Sequence, residues 1–295
     1  MKLTRKIIAI RGDTHPGHAG GLVNPDTLIP ALDLSDDGKW VVTGWDTPHL
    51  SPLQRRIWAW HAQDMENIRA LAGKDEIIFL DMGDMTQGNI FKDDLAEALL
   101  STQYFISKWN TSVWLDIPNV KKVRMVKGTG VHVWGEGSTE TMLTHYLRAE
   151  YPKKSIEISD HYLLNVDGYL LDMAHHGPGP GIRNWTRGNV LDLYARSILR
   201  DDLDAGSTPP NVVLRGHTHT FTWRPVGLQA GGKAHKLDAF ITPPYCFIGS
   251  HARKVTQSTS RMSVGLLALE LVNGRLLDFH PFTHTVDLRN REVLE

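Results

Sequence analysis

Short, almost wholly apolar runs alternate along this chain with stretches in which apolar residues recur every three to four positions. The runs at residues 6–10, 76–80, 120–126, 169–173 and 211–214 are β-rich and bounded by glycine, as buried strands are. Each ends in His or Asp: the run at 6–10 leads into GDTH, 76–80 into DMGD, 120–126 into KGTGVH, 169–173 into AHHG and 211–214 into RGHTH.

Between the runs the spacing turns helical. Ser51-Pro52 predicts an N-cap followed by proline in the first turn, and Trp58, His61, Met65, Ile68 and Leu71 then share one helix face. A longer amphipathic helix is expected over 91–114, with Leu95, Leu99, Tyr104 and Phe105 inward, and further helices over 139–151 and 185–203. Strands alternating with helices predict α/β layers. Residues 16–50 are rich in Gly, Pro and Asp without a sustained period, which predicts an insertion over the surface near the GDTH motif. After His219 the pattern is strand only, at 221–226, 235–242, 264–272 and 276–282, with Asn273-Gly274 signalling a hairpin between the last two. No repeat, low-complexity tract or linker interrupts the chain, so one domain over 1–295 is expected, its C-terminal β-hairpin region at about 221–285.

Composition changes this picture little. Of 295 residues, 41% are hydrophobic and 22% charged, which is ordinary for a globular protein with a sizeable core. A net charge of −1 excludes the global basic field of an electrostatically driven nucleic-acid binder. The single cysteine, Cys246, excludes an internal disulfide framework and a thiolate-cluster zinc site. No apolar stretch is long enough to span a bilayer and the N-terminus has no cleavage signal, so no membrane association and a cytoplasmic location are expected. The 15 histidines are more informative, because imidazole is costly to bury unpaired and useful where metals or protons are handled.

Carboxylates and imidazoles are the ligands of hard and borderline divalent metals, and open α/β sheets assemble their sites beyond the carboxyl ends of strands. The strand ends here supply Asp13 and His15, then Asp84, His132, His175 and His176, and finally His217 and His219. On these residues the sequence resembles the calcineurin-like metallophosphoesterase superfamily: Asp13-Thr14-His15, Gly83-Asp84, the block from Lys127 to His132, His176-Gly177 and Gly216-His217-Thr218-His219 stand in the family's order over roughly residues 6–220.

The resemblance implies a two-sheet β-sandwich flanked by helices in αββα layers, with the C-terminal strands contributing to the second sheet. It implies a centre of two divalent ions, manganese first, with zinc, iron or nickel as alternatives. Asp13, His15 and His219 would hold one ion, His176 and His217 the other, and Asp84 would bridge them. The implied activity is that of a metal-dependent phosphohydrolase, a phosphodiesterase in preference, in which a metal-bound hydroxide attacks phosphorus in line. The substrate would be a phosphate ester, with nucleic acid or a (cyclic) nucleotide as candidates and no obligate protein partner. A phosphomonoesterase of the same fold, a catalytically weakened nucleic-acid binder and an unrelated one-metal zinc hydrolase are the competing functions.

One block departs from the family pattern. Where the family has Gly-Asn-His, this chain has Gly128-Thr129-Gly130-Val131-His132, without the Asn ligand. Either His132 becomes a metal ligand, or it keeps an acid or phosphate-contact role while Thr129 or a water fills the vacant position; the acid role is the expectation. His175 is expected to be structural, because successive strand residues face opposite sides and only His176 matches the family's His-Gly. His18 is expected to be a loop residue. Gln87 stands either near Asp84 or in a plain turn, and Asp81 either orients an imidazole or forms a strand-end salt bridge. Arg183 and Arg187, after the GPGPG stretch, are candidate phosphate binders. His251, Arg253 and Lys254 form a basic cluster expected to be a solvated loop, and the tryptophans at 58, 60, 109 and 114 are expected in the core or at an interface.

Overall fold

In the computed structural model the described residues are 4–90, 92, 94–132, 139–179, 181, 186–247, 249, 261–287 and 289. Alternation of side chains along each buried strand generates the layering. In β1 (Arg5–Arg11), Ile7 and Ala9 face one way, against Ile57 and Ile68 of α1 (Pro52–Ala72). Ile8 and Ile10 face the other way and meet Leu171, Met173, Val212 and Leu214, which belong to a second sheet. Both faces of the strand are therefore dry, which explains why its sequence reads as a continuous apolar run.

The first sheet has the order β13-β12-β1-β4-β5-β6. Its members are β4 (Glu76–Asp81), β5 (Val120–Val126), β6 (Ser155–Ser159), β12 (Arg261–Val272) and β13 (Arg275–Asp287) around β1. β1, β4, β5 and β6 run parallel, while β12 pairs antiparallel with β1 in a register that sets Arg5 opposite Val272. α1, α2 (Leu100–Leu115) and α3 (Thr139–Glu150) contribute to the core on its outer face. The second sheet, β10-β11-β9-β8-β7, is built from β7 (His161–Val166), β8 (Tyr169–Ala174), β9 (Val212–Arg215), β10 (Thr222–Ala230) and β11 (Lys233–Ile241). Leu191, Ala195 and Leu199 of α4 (Asn189–Asp204) cover its outer face over Val213, Ala239 and Ile241. The result is the expected two-sheet sandwich with helices on both sides.

The turn chemistry is equally local. Ser51 caps α1 through a capping box with Gln54, and Pro52 follows it. Asn273 and Gly274 take φ of 49° and 69°, the left-handed pair that a two-residue hairpin turn requires. Trp114 is fully buried, stacked on Phe79, and donates its indole N–H to His61 Nε2 at 3.0 Å.

Two stretches differ from expectation. The helix predicted over 91–114 begins only at Leu100, and Leu99 is exposed. The preceding backbone is spent elsewhere: Ala96 and Glu97 both donate to the Gly17 carbonyl, and the Asp94 carbonyl accepts from Ala19. These bonds tie 94–97 to the loop after the first motif and leave no ladder for a helix. Within 16–50, residues 20–23 are buried, whereas β2 (Ile29–Leu34) and β3 (Trp40–Asp46) form an exposed hairpin that the aperiodic composition did not announce. No helix among the described residues is long and apolar enough to cross a membrane.

Candidate metal centre

The parallel strands of both sheets end along one edge, and the polar motifs follow those ends. Backbone geometry there is unusual. Among the described residues, Asp13, His15, Asp84, His217 and His219 have φ between 37° and 70°, the left-handed region that residues with a Cβ seldom enter. Asp and His tolerate it better than most, and such conformations cluster where function over-determines the chain. The turns are also tightly nested. Asp13 N donates to the Gly83 carbonyl at 3.0 Å and His15 N to the Asp84 carbonyl at 3.1 Å, so the first two motifs lie against each other. A Cβ on Gly128 would collide with the carboxylate and backbone of Asp84, which is why this strand end must be glycine.

Asp84 is the hub. Its Oδ2 lies 3.0 Å from His175 Nε2, 3.6 Å from His15 Nε2, 3.9 Å from His132 Nε2 and 3.3 Å from Thr129 Oγ1. On one side, Asp13, His15 and His219 bring their ligand atoms within 4.8 Å of one another; on the other, His175, His176 and His217 do the same. His219 Nδ1 donates to the Cys246 carbonyl at 3.1 Å, which leaves Nε2 bare, and that atom faces His15 Nε2 at 3.2 Å. Asp13 Oδ2 and His15 Nδ1 are buried without a hydrogen-bond partner among the described residues. The ligand atoms that converge, among them His15 Nε2, His219 Nε2 and the Asp84 carboxylate, are O and N donors of the kind that bind divalent cations.

Electrostatics agrees with the packing. Burial pushes the Asp13 carboxyl up to about 7, with His175 opposing and Asp84 adding to the shift. Burial acts on Asp84 in the same direction, but the facing imidazoles of His175, His15 and His132 outweigh it and hold this carboxyl well below the usual range. His175 moves up to about 9: burial disfavours its charge, while the Asp84 hydrogen bond, the Asp13 charge and the Met82 carbonyl overcome that. Burial drives His219 down to about 3 and His15 well below the ordinary imidazole value. His15 and His219 are thus kept neutral beside an ionised Asp84, as metal ligation demands, whereas His175 and Asp13 hold their protons more firmly and would release them on binding an ion.

The structure brings together Asp13, His15, Asp84, His132, His176, His217 and His219 from the sequence analysis, sets the Thr129 hydroxyl among them, and adds His175. His175 was expected to point away. It is instead 1% exposed, with Nδ1 held by the Met82 carbonyl at 2.6 Å and Nε2 on Asp84. Burial along β8 explains this: Tyr169, Leu171 and Met173 face inward, and His175 continues their parity. His176 lies on the more open side, its ring 4.9 Å from that of His175 and 4.7 Å from that of His217. Alternation along β8 thus sets His175, not His176, on Asp84, while both imidazoles stand in one cluster with His217.

His132 sits in a short 3-10 turn (Gly130–His132) and is held by two residues of the second motif. Its Nδ1 bonds the Gln87 carbonyl at 2.7 Å, its carbonyl accepts from Thr86 Oγ1 at 2.6 Å, and its ring meets that of His15 edge-on at 4.6 Å. Gln87 therefore acts through its backbone. Gln103 of α2, which the sequence did not flag, holds this turn in place: fully buried, it accepts from the N–H groups of Gln87 (2.9 Å) and Gly88 (3.0 Å) and donates to the Gly88 carbonyl (2.9 Å). Its only signal was an amide in the face of a helix that packs inward.

Other candidates have partners of their own. Asp81 forms the strand-end salt bridge, buried with Arg11 at 2.6 Å, and its second oxygen accepts from Gly83 N. His18 closes its own loop by accepting from Gly20 N at 2.9 Å. Arg187 is exposed, and its carbonyl accepts from the Arg224 side chain. Arg183, His251, Arg253 and Lys254 lie outside the described residues.

No protein-family model matches the chain, and no curated protein matches its sequence. Solved structures that align with it include the sulfate thiohydrolase SoxB of Thermus thermophilus in complex with glycerol, at 13% identity and a TM-score of 0.36 over 96% of this chain and 56% of that one. A metallophosphoesterase from Sphaerobacter thermophilus aligns at 12% identity and a TM-score of 0.35 over 95% of this chain and 88% of that one. The chain thus spans little more than half the length of the first.

Proposed function

We propose that this chain is a metal-dependent hydrolase of the metallophosphoesterase type, acting on phosphodiesters in preference to monoesters, with nucleic acid or (cyclic) nucleotides as the substrate class. The observation that carries this reading is the position of Asp84, one buried carboxylate oxygen approached by imidazoles from two separate donor clusters. Asp13, His15 and His219 with Asp84 would hold one divalent ion, and His175 and His217 with Asp84 the other, with His176 beside them. Manganese is the proposed ion, since oxygen and imidazole donors suit it. When bound, such a pair polarises a phosphoryl group and lowers the pKa of an attacking water.

The side chains supply the remainder. Asp84 stays ionised and shared between the clusters, and the Met82 and Cys246 carbonyls fix the ring orientations of His175 and His219. His132, with Nδ1 committed to the Gln87 carbonyl, has Nε2 as the atom that can deliver a proton to a departing alkoxide. The preference for diesters in this reading rests on that role.

The test pairs metal content per chain with Mn²⁺-dependent hydrolysis of a bis-aryl phosphate diester and its monoester counterpart. Two ions and diester turnover, both lost in Asp84→Asn, are expected. Turnover of the monoester alone would transfer the reading to a phosphatase, and no metal uptake with no turnover of either substrate would sink it.

A further inference from the structure

The hairpin of β2 and β3 turns its large apolar side chains outward. Leu32, Leu34, Trp40, Val42 and Trp45 are each between 53% and 70% exposed. Their register makes them one surface. Leu34 pairs with Trp40, Leu32 with Val42 and Pro30 with Trp45, and the side chains of directly opposed residues leave a sheet on the same face. Pro30, Leu32 and Leu34 alternate along β2, so all six residues share that face.

On a regular β3, Trp45 would lie on the other face, because it differs in parity from Trp40 and Val42. The register shifts where Ala31 pairs with Gly44 and Leu32 with Val42, which leaves Thr43 as the extra residue of a β-bulge. A bulge re-aims the side chains beyond it. Here it brings the second tryptophan onto the apolar stripe, while Asp33 and Asp46 fall on the opposite face with Val41 and Gly44.

Three properties of this face select its occupant. It carries no charged side chain, and the hairpin sets Asp33, Asp36, Asp37 and Asp46 against Lys39 alone, a balance that disfavours nucleic acid and anionic membranes. A tryptophan stands at each end with aliphatic side chains between, so the stripe has nearly the same shape when turned end for end, as a two-fold interface requires. The exposed parts of its five large side chains amount to roughly 600 Å², at the top of what a monomer leaves open, and two copies would cover about 1,200 Å², the lower bound for a specific interface. A lone two-stranded hairpin is also marginal in water, and a second one laid on it would supply a core.

We propose that this face docks a second copy of the chain, apolar stripe against apolar stripe, and makes the protein a two-fold dimer. The proposal does not depend on the hydrolase reading above.

The experiment measures the mass of the full-length chain by sedimentation velocity at concentrations up to about 100 μM, enough to populate a dimer of micromolar affinity. Wild type should sediment at twice the chain mass at the upper end. The double variant Trp40→Gln, Trp45→Gln should raise the dimer dissociation constant at least tenfold, the scale of loss when aromatic anchors are removed. Val41→Thr, on the opposite face, should leave it unchanged, and thermal melting of both variants should match wild type because the replaced side chains are exposed. A wild type that stays monomeric throughout would overturn the proposal, and so would a dimer that the double variant leaves intact. A monomer that binds anionic vesicles or a single-stranded oligonucleotide, with binding lost in the double variant, would overturn it too and assign the face to that ligand.

Discussion

His175 Nε2 and Asp84 Oδ2 lie 3.0 Å apart, and both residues are 1% exposed. That contact, rather than the His176-Gly177 pair that the sequence resemblance singled out, connects the second sheet to the hub carboxylate. His175→Ala should therefore remove about half of the bound metal and nearly all turnover, because it leaves Asp84 buried with one partner fewer. His176→Ala should retain the metal and lose much less activity. Metal analysis of the two purified variants decides the matter, and an intact metal complement in His175→Ala would return the role to His176.

Gln103 makes its contribution at one remove. Gln103→Leu keeps the bulk but leaves the Gln87 and Gly88 N–H groups buried without their acceptor, at roughly 1–3 kcal/mol for each orphaned group. Because the Gln87 carbonyl holds His132, turnover should fall further than loss of folded protein explains. Urea unfolding gives the first quantity, and kcat measured where the variant is fully folded gives the second. An unchanged kcat would show that the turn keeps its shape without the amide.

The Arg11–Asp81 pair lies wholly inside the protein, with Arg11 donating twice to Asp81 Oδ2, at 2.9 and 2.6 Å. Removing one partner strands the other, so Arg11→Leu should cost about 3–5 kcal/mol. Replacing both by leucine should cost less than either single change. Chemical denaturation of the three variants forms a double-mutant cycle, and additive losses would mean that the two charges are not coupled.

The fold was legible where one physical rule governed a whole segment. The run at 6–10 reads as a buried strand because both of its faces are dry, and Asn273-Gly274 reads as a turn because few other pairs accept φ of 49° and 69°. The ligand types and the strand ends that carry them were legible for the same reason: a glycine-bounded run followed by Asp or His is a local pattern. What escaped was set by distant chain. Residues 94–97 give their backbone bonds to Gly17 and Ala19, far earlier in the chain, so no local periodicity could delay the start of the predicted helix to Leu100. The choice of which imidazole, His175 or His176, reaches Asp84 depended on burial parity along β8.

The pairing of β1 with β12 has a consequence for the order of folding. Asp13 and His15 follow β1, one edge of which is closed by a strand far along the chain, in a register that sets Arg5 opposite Val272. Closing such long-range pairings is slow, because chain entropy is lost before contacts repay it. His219, the third member of the cluster with Asp13 and His15, also comes from a distant motif. Completion of that cluster therefore waits on long-range docking, however early the first motif takes its local shape.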